Sequence, residues 1–195
     1  MNIGIYIYNQ AEVLDFSGSF EVFSTAKRIS KDSNIFNVFM ISETGNAISA
    51  RGNYVVSPHF GFQDHPSIDL LLIVGGVHEQ EMKKKAVLNW IKTQSKTAKL
   101  TASVCTGVFL LAEAGVLSNQ TVTTHWEDIP DLRKKYPNLN VIENKRWVDE
   151  GTIITSSGIS AGIDMCLYLI SKTQNMKLAE KTARQMEFIW TKNTR

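Results

Sequence analysis

The stretch Leu100-Thr101-Ala102-Ser103-Val104-Cys105-Thr106-Gly107-Val108-Phe109-Leu110-Leu111-Ala112-Glu113-Ala114 decides the fold. Leu100 to Val104 reads as a short buried strand. Thr106 to Ala114 reads as a helix that begins almost where the strand ends. Upstream, Leu70 to Val74 is a wholly apolar strand ending in Gly75-Gly76. A helix around Ala86 to Gln94 follows it, with Val87, Leu88 and Ile91 inward. Ile3 to Tyr8 is another apolar strand. Phe16, Phe20, Phe23 and Ala26 then recur at helical spacing, giving an amphipathic helix to about Ile29. Phe36 to Ile41 is a second strand, and Ile48 to Ser57 a hairpin broken by Arg51-Gly52-Asn53. Continuous apolar strands separated by helices predict a parallel sheet covered on both faces.

Downstream, Val122-Thr123-Thr124 and Val141-Ile142-Glu143 read as shorter strands. Arg146-Trp147-Val148 and Thr152-Ile153-Ile154-Thr155 flank the turn Asp149-Glu150-Gly151 and predict a hairpin. Ser160 is placed as the N-cap of a helix to about Ser171, with Asp164 in its first turn suiting the dipole. A last helix is expected from Lys177 to about Trp190. The sum is one α/β domain over residues 1–195, a three-layer sandwich around a mostly parallel sheet. Such sheets place ligands at the carboxyl ends of their strands.

The chain has 195 residues, 43% hydrophobic and 21% charged, enough for one domain with a sizeable core. Lys and Arg number 21 and Asp and Glu 19, leaving +2, so charge gives no reason to seek nucleic acid or a membrane surface. The basic runs Lys83-Lys84-Lys85 and Arg133-Lys134-Lys135 read as solvated helix ends. The N-terminal MNIGIYIYNQ has no basic region before its apolar stretch and reads as a strand, not a signal peptide. A cytoplasmic location is expected. With two cysteines, Cys105 and Cys166, no disulfide framework is expected.

Both central strands end at chemically distinctive residues, Gly75-Gly76 and Cys105. In Ser103-Val104-Cys105-Thr106-Gly107, small residues stand two before and two after the cysteine. That is the spacing of a nucleophile elbow, a sharp strand-to-helix turn that crowds its flanks. A thiol projected at a helix N-terminus would favour thiolate. The alternative is a buried, inert cysteine. Cys166, between Met165 and Leu167 in an apolar helix, reads as core packing. Asp15, between Leu14 and Phe16, is either a helix N-cap or a poorly solvated acid beside the thiol, with a raised pKa and a proton to donate. Gly75 and Gly76 form a tight turn, and their amides, with that of Thr106, could make an anion-stabilising pocket. His125 is either structural or near the site. His78-Glu79-Gln80-Glu81-Met82 has Met where a zincin helix needs its second His, and His59 and His65 lack ligand spacing, so no metal site is expected. There is no phosphate loop or dinucleotide fingerprint, and no cofactor is expected.

Five blocks in order resemble the ThiJ/PfpI superfamily: Ala11-Glu12-Val13-Leu14-Asp15-Phe16-Ser17-Gly18, Ile73-Val74-Gly75-Gly76, Ser103-Val104-Cys105-Thr106-Gly107, Thr123-Thr124-His125-Trp126 and Gly158-Ile159-Ser160-Ala161-Gly162-Ile163-Asp164. The resemblance implies a flavodoxin-like, class I glutamine amidotransferase-like fold and association as a homodimer. It is strongest to the branch containing isonitrile hydratase and the sensor domains of AraC-type regulators, because the acid is Asp15 and the residue after Cys105 is Thr106. Peptidase-like members carry His there, so the departure argues against proteolysis. With the sequence ending at Arg195, paired helix-turn-helix units are not expected. By this resemblance Cys105 attacks a small electrophilic substrate, Asp15 supplies a proton and Thr106 positions the acid or a water. An isonitrile would become an N-substituted formamide. Two alternatives follow from the same residues. One is a redox or electrophile sensor, or a binding module without turnover. The other is action on reactive aldehydes, with His125 as a base.

Overall fold

The computed structural model of the chain describes residues 1–32 and 34–193. Its strands are β1 (Asn2–Tyr6), β2 (Asn37–Ile41), β3 (Ile48–Ser49), β4 (Val55–Val56), β5 (Leu70–Ile73), β6 (Leu100–Ser103), β7 (Thr121–Val122), β8 (Asn140–Val141), β9 (Trp147–Asp149) and β10 (Ile153–Ser156). Its helices are α1 (Val13–Ile29), α2 (Lys85–Thr97), α3 (Gly107–Glu113), α4 (Ile129–Lys135), α5 (Ala161–Thr173) and α6 (Met176–Gln185). Six strands form one sheet in the order β2-β1-β5-β6-β10-β9. Every neighbouring pair is parallel except β10 with β9, the hairpin at one edge.

Helices α1, α5 and α6 pack together as one layer, and α2 with α3 in another. This is the flavodoxin-like three-layer α/β sandwich, and its sheet explains the apolar runs. All four residues of β5 and of β6 are buried, because helices cover both faces of the central strands. Hairpin β3–β4 forms around Arg51–Asn53, and β7 pairs with β8 as a small parallel ribbon outside the main sheet.

Register fixes the site. Tyr6 lies opposite Ile73, Ile73 opposite Ser103, and Ser103 opposite Thr155. Two residues further on, at the carboxyl ends, that row continues as Tyr8, Gly75, Cys105 and Ser157. The chain holds this row together past the regular strands: the Cys105 N–H donates to the Ser157 carbonyl at 3.3 Å.

Most element ends shift by a few residues from the pattern-based reading, and two ends and one cap show why. Strand β1 ends at Tyr6 rather than Tyr8, although the Ile7 N–H still donates to Ile41 O at 2.8 Å. Helix α6 ends at Gln185, five residues before Trp190. Glu187 takes a left-handed φ of 51°, and the Phe188 N–H turns back to Ala183 O at 2.9 Å. That closes the helix as a glycine would, with no glycine to announce it. Ser160 stands at the N-cap position of α5 as expected, but its side chain makes no capping bond. Its backbone is already helical (φ −65°, ψ −22°), whereas an N-cap needs extended geometry, and its hydroxyl instead accepts a bond from Arg146.

Candidate active site

Cys105 sits where β6 breaks into α3, at φ 54°, a left-handed conformation uncommon for a residue with a side chain. The turn is as tight as the sequence spacing implied: a Cβ at Gly107 would lie 2.3 Å from Ile73 O. Only 6% of Cys105 is exposed. Burial, reinforced by the Asp15 charge, pushes its thiol up to about 12, against the pull of the Thr106 and Ile159 amides. The thiolate expected at a helix N-terminus is therefore not the resting state. Desolvation outweighs a helix of seven residues and two amide donors.

Asp15 is the third residue of α1 and is completely buried. It is not a cap. Its Oδ2 accepts the Gly75 N–H at 2.9 Å, and its Oδ1 is buried with no hydrogen-bond partner among the described residues. Burial raises its pKa to about 8, the Gly75 amide opposing and the Glu12 charge adding. A carboxyl in this setting keeps its proton at neutral pH and has one oxygen free to present it.

Gly75 is where the parts meet. A Cβ there would lie 2.6 Å from Thr106 N, 2.7 Å from Thr106 Oγ1 and 2.9 Å from Asp15 Oδ2. No side chain fits between the acid and the elbow. The Thr106 hydroxyl accepts the Gly76 N–H at 2.9 Å and donates to Gly76 O at 3.0 Å. Both glycine amides are thus engaged, Gly75 with Asp15 and Gly76 with Thr106. The anion pocket expected from Gly75 and Gly76 has no free glycine donors, and the amides that pull the Cys105 thiol down are those of Thr106 and Ile159.

His125 lies beside the elbow. Thr124, its neighbour, donates from Oγ1 to Cys105 O at 2.9 Å. The imidazole presses on Gly158, where a Cβ would sit 2.1 Å from His125 Cδ2. Its Nδ1 faces Asp128 Oδ2 at 3.4 Å. Asp128 is raised by burial, with His125 and His78 lowering it, and its charge reaches Cys105.

Tyr8, Ile159, Asp128 and His78 were not picked out for this site from the sequence. Tyr8 is buried, with its hydroxyl unpaired among the described residues. Burial first, then the charges of Asp15, Glu81 and Cys105, raise its pKa well above the usual phenol value. Its register two residues beyond Tyr6 was the available signal. Ile159 bears on the thiol through its backbone amide, which lowers it, so its side chain carried no signal. His78, called a failed zincin motif, packs on Phe109 with its ring centre 4.6 Å away and Nδ1 3.2 Å from Gly76 O. No group of three or more His, Cys, Asp or Glu suited to a metal occurs among the described residues. No helix among them is long and apolar enough to cross a membrane.

The profile described as the DJ-1/PfpI family matches residues 1–172. Isonitrile hydratase of Pseudomonas putida is 28% identical over 190 residues, covering 96% of this chain and 78% of that protein. The HTH-type transcriptional regulator CdhR of Pseudomonas aeruginosa is also 28% identical, over 89% of this chain, which spans about half (51%) of the regulator's length. A crystal structure of a ThiJ/PfpI family protein from Pseudomonas syringae superposes with a TM-score of 0.84 at 20% identity, covering 100% of this chain and 77% of that one.

Proposed function

Because the chain belongs to the DJ-1/PfpI family, we propose that it is a cysteine-dependent enzyme acting on a small electrophilic molecule, with hydration of an isonitrile to an N-substituted formamide as the leading reaction. The observation that carries this reading is Asp15. It is a fully buried carboxyl with a pKa near 8 and an unpaired oxygen, joined through Gly75 to the turn that holds Cys105.

An isonitrile carbon is a poor electrophile until it is protonated. Asp15 donates its proton to that carbon, giving a nitrilium-like centre. Cys105 sulfur bonds to the same carbon, and the thiol proton replaces the one that Asp15 gave up. The product is a covalent thioimidate, S–CH=N–R, with Asp15 protonated again. Water then adds across the C=N bond, the C–S bond breaks, and the thiol recovers its proton. R–NH–CHO leaves. The Thr106 and Ile159 amides stabilise charge on sulfur in both passages. A thiol with a pKa near 12 suits this scheme, since it stays protonated until an activated carbon arrives.

The test is formamide production from a panel of isonitriles, followed by mass spectrometry. Turnover should fall to background in Cys105→Ser. Absence of turnover on every isonitrile, or a Cys105→Ser chain of undiminished rate, sinks the reading. A sensor role is the competing reading, favoured by the likeness to a transcription regulator. A protonated Asp15 could donate to a Cys105 sulfinate. Selective uptake of oxygen at Cys105 under mild peroxide, without turnover, would decide for it. Against it stands the raised thiol pKa, which slows oxidation.

A further inference from the structure

Two residues of the site hold left-handed backbone without being glycine: Cys105 at φ 54° and Ile159 at φ 51°. For β-branched Ile this is an outlier. Strained backbone persists only where its surroundings over-determine it. Around Ile159 those surroundings converge on Arg146.

The Arg146 carbonyl accepts the Ser157 N–H at 2.9 Å, and Ser157 O in turn accepts the Cys105 N–H. The guanidinium donates from Nη2 to Ser160 Oγ at 3.3 Å, so Arg146 grips the turn on both sides of Ile159. The same guanidinium is anchored on Asp164, which is completely buried, through Nε at 2.8 Å and Nη2 at 2.5 Å. The chain beyond α6 closes over this pair. Asp164 Oδ1 accepts the Thr191 N–H at 2.8 Å, and Asp164 O accepts Trp190 Nε1 at 3.1 Å. Asn193 completes the clasp. Its Oδ1 accepts the Arg146 N–H at 3.2 Å, and its Nδ2 donates to Trp147 O at 2.6 Å. The early end of α6 frees residues 188–193 for this path.

We infer that Arg146 is a positioning residue of the reactive centre, holding the turn of residues 157–160, with its strained Ile159, against Cys105, and that residues 190–193 form a strap that locks Arg146 in place. The inference rests on the reading of Cys105 as the reactive thiol. The strap's bonds go to Arg146, Trp147 and Asp164, so it acts on Cys105 through the brace. Linkage makes the coupling reciprocal: a group added to Cys105 that displaces the turn of residues 157–160 also loosens the strap.

The test measures the rate of Cys105 alkylation by iodoacetamide against pH in the full chain, together with amide hydrogen exchange of residues 157–160. In Arg146→Met the pH–rate profile should move up by about one unit, so alkylation at a fixed pH slows about tenfold. Residues 157–160 should exchange faster. Arg146→Lys, which keeps the charge but not the fork, should recover part of both. A folded Arg146→Met chain with the parent's profile and exchange protection overturns the inference. If that variant does not fold, Asn193→Ala replaces it, with an expected shift in the same direction of about threefold in rate. An unchanged profile and unchanged exchange there overturn it equally. A parent chain whose Cys105 alkylates at no pH defeats the reading of Cys105 as reactive, while the exchange of residues 157–160 still decides the brace.

Discussion

Cys105 and Cys166 are alike in burial and opposite in setting. They are 6% and 0% exposed, and burial pushes both thiols up to about 12. Cys166 lies inside α5, among Met165, Leu167 and Leu169, with the Ser19 hydroxyl as the polar neighbour that lowers it. Cys105 sits on a left-handed turn between two amides, an acid with an unpaired oxygen, and a histidine pressed onto a neighbouring loop. Burial alone therefore does not separate the two thiols. The difference lies in what burial has left incomplete. The polar neighbour of Cys166, the Ser19 hydroxyl, has a partner of its own, donating to Asp15 O at 2.7 Å. Around Cys105 the Asp15 Oδ1 and the Tyr8 hydroxyl are enclosed without partners among the described residues, which is costly unless another molecule completes them.

The largest expected effect is at Asp15. Its folded pKa of about 8 stands above the ordinary 3.8, so the folded chain binds the proton more tightly than the unfolded chain. Stability is then highest at acid pH and falls as pH rises through that window, because only the unfolded chain ionises freely there. Asp15→Asn removes the loss. The variant should match the parent near pH 4 and exceed it at pH 9 by roughly 3–5 kcal/mol, as measured by urea denaturation. It should also lose isonitrile turnover. A variant whose advantage does not grow with pH would make Asp15 an ordinary carboxylate, and the contrast between the cysteines would lose its strongest element.

Gly158→Ala comes next. Its methyl would overlap the His125 ring and must displace either the imidazole or the turn carrying Ile159. A destabilisation of about 1–3 kcal/mol is expected, with Cys105 alkylation altered and Cys166 unaffected. Equal stability and equal alkylation would mean that the ring moves away at no cost to the site. The smallest effect is at Cys166→Ala. Removing one sulfur from a packed helix should cost about 1–2 kcal/mol and leave the Cys105 alkylation profile untouched. A changed profile would show the two thiols to be coupled and would erase the distinction between them.

Much of this was legible in the residues. Leu70 to Val74 and Leu100 to Val104 read as buried strands covered on both faces, and their parallel pairing followed from the helix between them. Cys105 stood out because its small flanks mark a turn that few residues tolerate. The termination of α6 was not legible, since Glu187 does the work of a C-terminal glycine without being one. Nor was the anion pocket. Gly75-Gly76 looks like a pair of free amides until the bonds to Asp15 and Thr106 are seen.

The sequence by itself determined the order of strands and helices, the sharp turn at Cys105 and the closeness of Asp15 to the end of the first strand. These are local matters of periodicity and crowding, encoded within a few residues of one another. Only the tertiary structure decided what each polar group does. It made Asp15 an acid rather than a cap, kept Cys105 a thiol rather than a thiolate, and joined Arg146 and residues 190–193 to the same centre. Those outcomes depend on how much water packing removes and on which distant groups it brings within hydrogen-bonding reach. Neither is a property of any short stretch of chain.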